Sequence, residues 1–146
     1  LLVGLGACAP GPMAYCEFKD IPEEGWQRSV PVKFFPELTD SSFQKWDVEL
    51  AIRHNNNYAF NQLNLVVDMI DSCHNVLRKP VTIAVADEYG NWNGSGFGGI
   101  YQDKVTVASG VDAAALRNII VWQAMEGCET LTDIEDLGIM VVPAKN

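Results

Sequence analysis

The side chains suited to acid–base, metal or nucleophilic chemistry are few, and they are not spaced for it. The chain has two histidines, His54 and His74, and neither stands at the ligand spacing of a zinc site. Cys73 precedes His74, but neighbouring residues of a strand point to opposite faces, which disfavours a Cys–His nucleophile pair. The Gly-x-Ser-x-Gly turn of serine hydrolases is missing. The sequence therefore predicts no catalytic residue, no metal site, no cofactor and no enzymatic activity.

Residues 87–94 superficially resemble a calcium loop, because carboxylate and amide oxygens are frequent there. An EF-hand loop, however, requires a carboxylate or amide side chain where Tyr89 stands, glycine at Trp92 and glutamate at Gly98. The glycine-rich residues 94–99 also lack the lysine and the following helix of a phosphate-binding loop. We predict one long loop over residues 87–99, whose glycines serve either tight turns or the docking of a partner.

A second polar stretch follows the strand predicted at residues 46–53. Its asparagines favour a turn, but Tyr58 together with Trp92 is also typical of an amphipathic patch that anchors a protein partner or stacks on sugar rings. Both interpretations stay open at this point. The candidate interaction surface comprises Arg53, Asn55, Asn57, Tyr58, Trp92, Gly94, Gly96, Phe97, Gly98 and Tyr101.

The elements that must position these residues are short β-strands. Residues 46–53 alternate, with Trp46, Val48, Leu50 and Ile52 on a core face and Asp47, Glu49 and Arg53 on the other face. Further strands are predicted at residues 13–19, 30–35, 63–69, 81–85, 118–125 and 137–142, with a short one at 105–107. The fold class is all-β, a two-sheet antiparallel β-sandwich that is immunoglobulin-like or jelly-roll-like.

Three local details follow from residue chemistry. Pro31 and Pro36 place residues 30–35 at a sheet edge, because proline cannot donate a ladder hydrogen bond. Trp26 is predicted to fill one end of the core. Residues 112–116 contain three alanines with good helix propensity, and the choice between a helical turn and a loop stays open.

Composition and charge exclude one class of partner. The 146-residue, 16.1 kDa chain is 48% hydrophobic and 20% charged, which suits a single packed domain. Nineteen acidic against ten basic residues give a formal net charge of −9. Because this charge repels phosphate backbones and anionic headgroups, we expect no nucleic-acid partner.

The amino-terminal residues predict a lipid anchor. Residues 1–7 are apolar and small and resemble the remnant of a lipoprotein signal peptide, and they end in Leu-Gly-Ala before Cys8. We predict that Cys8 is lipidated, that residues 8–12 form a flexible tether, and that residues 13–146 form the single sandwich domain. The anchor holds the domain on the cell membrane or outer membrane, facing the periplasm. In that oxidising compartment, Cys73 and Cys128 are a possible disulfide pair.

A set of residues between positions 15 and 142 has an order and spacing specific to one family. They are Lys19, Asp20, Ile21, Pro22, Gly25, Trp26, Arg53, Asn55, Asn56, Tyr58, Leu63, Ala86, Asp87, Gly90, Trp92, residues 94–98, Ile100, Tyr101, Gln123, Ala124, Met125 and Gly138. This pattern resembles the GldH family of gliding-motility-associated lipoproteins. Departures occur at Ala59, Phe60, Gln62 and Glu126, where family members usually carry Pro, Tyr, Asn and Arg.

The resemblance implies a membrane-anchored periplasmic lipoprotein that supports gliding motility and the associated protein secretion machinery. Its partners would be other cell-envelope proteins, and its role structural or assembly-related rather than catalytic. The alternative hypothesis is a carbohydrate-binding β-sandwich module that uses Tyr58, Trp92 and Tyr101. The two hypotheses differ in whether these rings form one exposed patch.

Overall fold

The computed structural model describes residues 14–38 and 44–145, and within them the chain is nearly all β. One 3₁₀ turn, Ala113–Ala115, interrupts the strands, which settles the open choice at residues 112–116. The strands are β1 (Tyr15–Asp20), β2 (Trp26–Gln27), β3 (Val32–Phe34), β4 (Trp46–Asn55), β5 (Gln62–Ile70), β6 (Val76–Ala84), β7 (Ser95–Phe97), β8 (Ile100–Val111), β9 (Asn118–Gln123), β10 (Thr130–Leu131) and β11 (Ile134–Pro143).

Two antiparallel sheets form the sandwich, which confirms the predicted fold class. The first sheet has the order β1-β11-β4-β8-β7 and the second β3-β9-β5-β6, while β2 and β10 pair as a small separate ribbon. Strand β3 lies at a sheet edge, as Pro31 and Pro36 predict. Trp26 is buried, as expected for a residue that fills the core.

The core forms where alternating side chains of the two sheets face each other. Val48, Leu50 and Ile52 of β4 are fully buried, and the alternating positions of β5, β9 and β11 pack against them. Each such side chain contributes roughly 1.5–3 kcal/mol when buried, before conformational entropy is subtracted. The two-residue alternation therefore predicted the core correctly.

The opposite face of β4 differs from expectation, because Asp47 and Arg53 are also buried. Strand β4 is central in its sheet, and other parts of the chain cover its outer face as well. Asp47 accepts hydrogen bonds from the backbone N–H groups of Gly110 (2.9 Å) and Lys145 (3.3 Å). The prediction that polar residues of this strand face solvent is therefore wrong for these two positions.

The predicted long loop over residues 87–99 is also partly wrong. Gly98 and Gly99 have φ angles of +63° and +84°, as in the two-residue turns that join hairpin strands. They connect β7 to β8, so Ser95–Phe97 pairs with the start of a twelve-residue strand. The short strand predicted at residues 105–107 is a segment of β8, whose later glycine and alanine weaken the alternation signal.

The connections between strands gather at two opposite ends of the sandwich. The entry end, where the described chain begins at Ala14, also contains residues 71–75 and 112–117 and the end of β11. The far end contains connections 21–25, 56–61, 85–94, 98–99, 124–129 and 132–133. Because β4 spans ten residues, the two ends lie about 30 Å apart.

Candidate functional site

The site is built around His54, near the far end of β4, whose side chain is completely buried. Alternation along β4 turns His54 towards the core, like Ile52 two residues before it. The ring centroids of Trp92, Tyr58 and Tyr101 lie 4.6, 5.6 and 5.7 Å from the imidazole centroid. We refer to these four residues as the aromatic box. Separations of this size are typical of packed aromatic pairs.

Each ring of the aromatic box comes from a different element. Tyr101 lies directly opposite His54 in the β4–β8 register. The indole Nε1 of Trp92 donates to Oδ1 of Asn56 at 2.9 Å, and the Tyr58 hydroxyl donates to the carbonyl of Gln62 at 2.8 Å. Burial raises the pKa of Tyr58 above its ordinary value. The box therefore closes the far end of the core, and the polar tips of Trp92 and Tyr58 are bonded within the chain.

A carboxyl group also faces His54. Asp103 pairs with Ile52 in the β4–β8 register and therefore shares the core face of the sheet. Its Oδ2 lies 3.6 Å from Nε2 of His54, and neither atom has a hydrogen-bond partner among the described residues. Burial raises the pKa of Asp103, and the nearby imidazole opposes that rise. The sequence analysis missed this pairing, because no local spacing connects the two positions.

The glycine-rich hairpin lies over the aromatic box, and side chains would prevent that contact. Gly96 is opposite Tyr101 in the β7–β8 register. A Cβ atom at Gly96 would overlap the Tyr101 ring, and one at Gly94 would overlap the carbonyl of Gln102. Phe97, which follows Gly96, is 81% exposed. The glycines thus let β7 pack closely against β8, and the hairpin presents one aromatic side chain to solvent.

Residues 87–91, which lie in the stretch that resembles a calcium loop, form a self-contained turn. Oδ1 of Asp87 accepts the backbone N–H groups of Tyr89 and Asn91, both at 2.9 Å, and these bonds lower the pKa of Asp87. Its second oxygen accepts the side-chain amide of Asn91 at 3.1 Å. The carboxylate is therefore used to shape the backbone. Within residues 14–38 and 44–145, no cluster of three or more His, Cys, Asp or Glu side chains is arranged to hold a metal ion.

Arg53 belongs to a separate row on the outer face of the first sheet. Asp20, Asp136, Arg53 and Gln102 are successive partners across β1, β11, β4 and β8, and we call this row the polar ladder. Nε of Arg53 donates to Oε1 of Gln102 at 2.8 Å, and its Nη1 lies 3.8 Å from Oδ2 of Asp136. The guanidinium also stacks 4.0 Å from the ring centroid of Phe18.

The ladder contains a strongly perturbed carboxyl group. Burial is the main cause that raises the pKa of Asp136 to about 6, and the neighbouring Asp20 raises it further. The charge of Arg53 acts in the opposite direction. Two carboxyl groups beside one guanidinium cannot both ionise without a repulsion that the single cation only partly offsets.

The ten residues of the candidate interaction surface therefore separate into different environments. Tyr58, Trp92 and Tyr101 form the aromatic box with His54, and Arg53 is buried in the polar ladder. The open patch of Tyr58 and Trp92 does not form, because Tyr58 is only 5% exposed. The amide of Asn55 donates to Asp133 at 3.1 Å and Glu135 at 2.7 Å. The backbone-shaping residues Gly94 and Gly96 support the hairpin, while Asn57, Phe97 and Gly98 are exposed.

The cysteine prediction is wrong in the structure, where Cys73 and Cys128 are both free. Cys73 lies beyond Ile70 at the entry end, and Cys128 lies beyond Gln123 at the far end of the same sheet. A disulfide requires Cα atoms within about 7 Å, so the two cannot meet. Cys16 lies on β1. The predicted lipid attachment at Cys8, like the tether, lies outside the described residues.

Two exposed rings at the far end were also missed. Tyr89 is 81% exposed and Phe60 is 42% exposed. The turn chemistry around Asp87 is the signal that would have indicated Tyr89, because residues at the tip of such a turn point to solvent. No helix in the described part of the chain is long and apolar enough to cross a membrane.

The family model described as GldH lipoprotein matches residues 13–141. A protein described as a gliding motility lipoprotein GldH homolog, from Christiangramia forsetii, is 26% identical over 140 residues, covering 90% of this chain and 85% of that protein.

Two solved structures are similar at low identity. One is a carbohydrate-binding module, CBM28, specific for non-crystalline cellulose, with a TM-score of 0.48 and 12% identity over 90% of this chain and 74% of the module. The other is the VP2 subviral particle of infectious bursal disease virus, with a TM-score of 0.35 and 9% identity over 88% of this chain and 32% of VP2.

The family match covers most of the chain and includes the far-end residues that form the aromatic box, the turn at Asp87 and the hairpin. A lipoprotein family of this kind is anchored to a membrane of the cell envelope. The chain belongs to the GldH lipoprotein family, whose members are associated with gliding motility.

Proposed function

We propose that this lipoprotein is a non-catalytic assembly component of the gliding-motility apparatus and its associated secretion machinery, and that it presents its far end to another envelope protein. One observation carries the proposal. The family motif residues between Ala86 and Tyr101, together with those between Arg53 and Tyr58, lie at the end opposite Ala14.

The position of the anchor gives this end a direction. If Cys8 carries the lipid, the short tether leads into the entry end at Ala14, because β1 runs from the entry end to the far end. The far end then lies about 30 Å beyond the point where the chain leaves the tether. This orientation directs the hairpin away from the supporting membrane and into the periplasm, where a second envelope protein can reach it.

The far end is also built as a support rather than as a reaction centre. The imidazole of His54 and the carboxyl of Asp103 face each other inside the core, where the His54 side chain has no solvent-exposed surface. The Tyr101 ring of the aromatic box packs against Gly96 of the hairpin, and the hairpin displays Phe97. A rigid scaffold with an exposed aromatic tip is typical of a protein-binding surface.

The sugar-binding alternative is less well supported. It required Tyr58, Trp92 and Tyr101 to form an open stacking platform, whereas these rings pack against His54. No other feature of the described residues favours a sugar over a protein as the ligand.

Replacing Phe97 with alanine in the native bacterium tests the assembly role. We expect loss of spreading and of secretion of surface proteins, with normal amounts of lipoprotein in the membrane. Leu77→Ala is the matched control, because Leu77 is 49% exposed on β6 towards the entry end. Equal phenotypes from the two variants, or none from Phe97→Ala, would count against the proposal.

The anchor is tested separately with Cys8→Ser. We expect the protein to move from the membrane fraction to the soluble periplasmic fraction, because each acyl methylene contributes about 0.8 kcal/mol of membrane affinity. Retention of unmodified Cys8→Ser protein in the membrane would refute anchoring at this residue without affecting the far-end prediction.

A further inference from the structure

Three exposed aromatic rings occupy the far end. Phe97 is the last residue of β7, and Tyr89 and Phe60 lie in two different connections. Phe97 and Tyr89 are both 81% exposed, and Phe60 is 42% exposed. Phe97 is held by the two-residue turn at Gly98 and Gly99, and Tyr89 is held by the hydrogen bonds of the Asp87 turn. Aromatic side chains are enriched at protein interfaces, and tyrosine is among the residues that often dominate the binding energy there.

The charge of the molecule is concentrated at the same end. Twelve acidic and three basic residues lie within the far-end connections or no more than four residues from them, so this end carries the equivalent of the whole chain's net charge of −9. The acidic residues are Glu17, Asp20, Glu23, Glu24, Asp87, Glu88, Asp103, Glu126, Glu129, Asp133, Glu135 and Asp136.

The three basic residues at this end are already engaged by the chain itself. Lys19 donates from Nζ to the carbonyl of Lys33 at 2.6 Å, and Arg28 donates from Nη1 to the carbonyl of Met125. Arg53 is buried in the polar ladder between Gln102 and Asp136. The twelve carboxyl groups of this end are therefore matched by three cations, two of which bind backbone carbonyls rather than carboxylates.

This charge discriminates between possible occupants. A second copy docking by the same end would bring two surfaces of equal negative charge together, and an anionic lipid surface or nucleic acid would be repelled in the same way. A protein surface rich in lysine and arginine is attracted instead. We infer that the far end binds a positively charged protein surface, with Phe97 and Tyr89 as its apolar anchors.

This inference rests on the proposed function, which requires a protein partner at the far end but says nothing of its chemistry. The partner it predicts has apolar recesses for the two rings, surrounded by lysine or arginine side chains. Charge complementarity of this kind accelerates association and makes it sensitive to salt.

Site-specific photocrosslinking in the native bacterium tests both the proposed function and the inferred chemistry of the partner. A photoreactive amino acid replaces Phe97, Tyr89 or, as control, Leu77 in the full-length lipoprotein, and the crosslinked peptides are identified by mass spectrometry. We expect one envelope protein to be captured from positions 97 and 89 and not from 77, through peptides rich in lysine and arginine.

Membranes washed in increasing salt supply the second readout. Crosslinking from position 97 should fall about tenfold between low and high ionic strength, as expected for electrostatically steered association. Glu88→Lys should reduce it by a similar factor at low salt, whereas Glu37→Lys, an exposed residue on the entry-end side, should leave it unchanged.

The outcomes separate the two claims. A partner captured through neutral or acidic peptides, with a yield that neither salt nor Glu88→Lys reduces, overturns the inferred chemistry and leaves the assembly role intact. Capture of a second copy of this chain, of glycan or of lipid overturns the inference as well. No far-end crosslink, or equal capture from Leu77, overturns the proposed function together with the inference.

Discussion

Two turns of this protein have the same backbone design and opposite surroundings. In residues 71–75 and 87–91, an aspartate accepts the N–H groups two and four residues later, and an asparagine amide completes the ring. The fourth residue has positive φ in both, +69° at His74 and +86° at Gly90. The entry-end turn leads to exposed Val76, and the far-end turn leads to Trp92 in the aromatic box.

The comparison separates a folding device from a functional one. The Asp-x-x-x-Asn turn reverses the chain equally well at both ends, because its bonds are local and need no tertiary partner. Only the far-end copy is followed by an aromatic side chain packed on His54 and by a hairpin that displays Phe97. The specialised feature is therefore the aromatic side chain that the far-end turn places against His54.

The largest difference should come from the residues that follow the two turns. Trp92→Ala removes a half-buried indole from the aromatic box and should lower the free energy of unfolding by about 2–4 kcal/mol. Val76→Ala, at the matched position after the other turn, should change it by less than about 0.5 kcal/mol because Val76 is 55% exposed. Urea unfolding measures both, and similar losses would mean that the two turns support equally important contacts.

A smaller loss is expected from Gly96→Ala. The added methyl group overlaps the Tyr101 ring, so the hairpin must shift, at a cost of about 1–3 kcal/mol. Ser95→Ala, at the exposed neighbouring position, is the control and should be nearly neutral. Thermal unfolding with tyrosine and tryptophan fluorescence would report both stability and the position of the box, and an unchanged melting temperature would contradict the close packing.

The polar ladder predicts a pH dependence specific to the far end. Because the pKa of Asp136 is raised to about 6, the folded state binds more protons than the unfolded state between about pH 4 and pH 6. Stability should therefore fall as pH rises through this window, by about 1–2 kcal/mol. Asp136→Asn should weaken this slope, whereas exposed Glu88→Gln should not. A slope that survives in Asp136→Asn would assign it to another group.

The smallest effects should come from exchanging the fourth residue of each turn. His74→Gly relieves a positive φ that L side chains rarely adopt and should stabilise the protein by about 0.5–1 kcal/mol, whereas Gly90→Ala should destabilise it by a similar amount. Neither position packs on the aromatic box, so crosslinking from Phe97 should be unaffected. Opposite signs in urea unfolding would confirm one backbone design, and equal signs would contradict it.

Much of the fold was predictable because the sandwich relies on short-range patterns. Alternation in residues 46–53 predicted the core side of β4, and Pro31 and Pro36 predicted the edge strand β3. The pattern failed for Arg53, since its burial depends on Phe18 from the beginning of the chain. It also failed for Ser95–Phe97, because a glycine-rich segment has few side chains to show a strand period.

The candidate site was only partly predictable. Its residue types were identified, since Trp92, Tyr58 and the glycines of residues 94–98 were all selected from sequence. Their arrangement was not, because an exposed patch and a buried box use the same side chains. His54 decided between them, and its role depends on Asp103, which lies on a different strand.

Local chemistry thus assigned the all-β class and the core face of each main strand, because alternation, proline and glycine act over a few neighbouring residues. The family was indicated by the resemblance of the motif residues. Tertiary structure decided the aromatic box, the polar ladder and the concentration of charge at one end. The box needs His54 and Tyr101 to face each other across β4 and β8, and the ladder needs Asp20, Asp136 and Arg53 to align across three strands. Spacing along a chain does not reveal which strands pair, so these contacts existed only once the two sheets had formed.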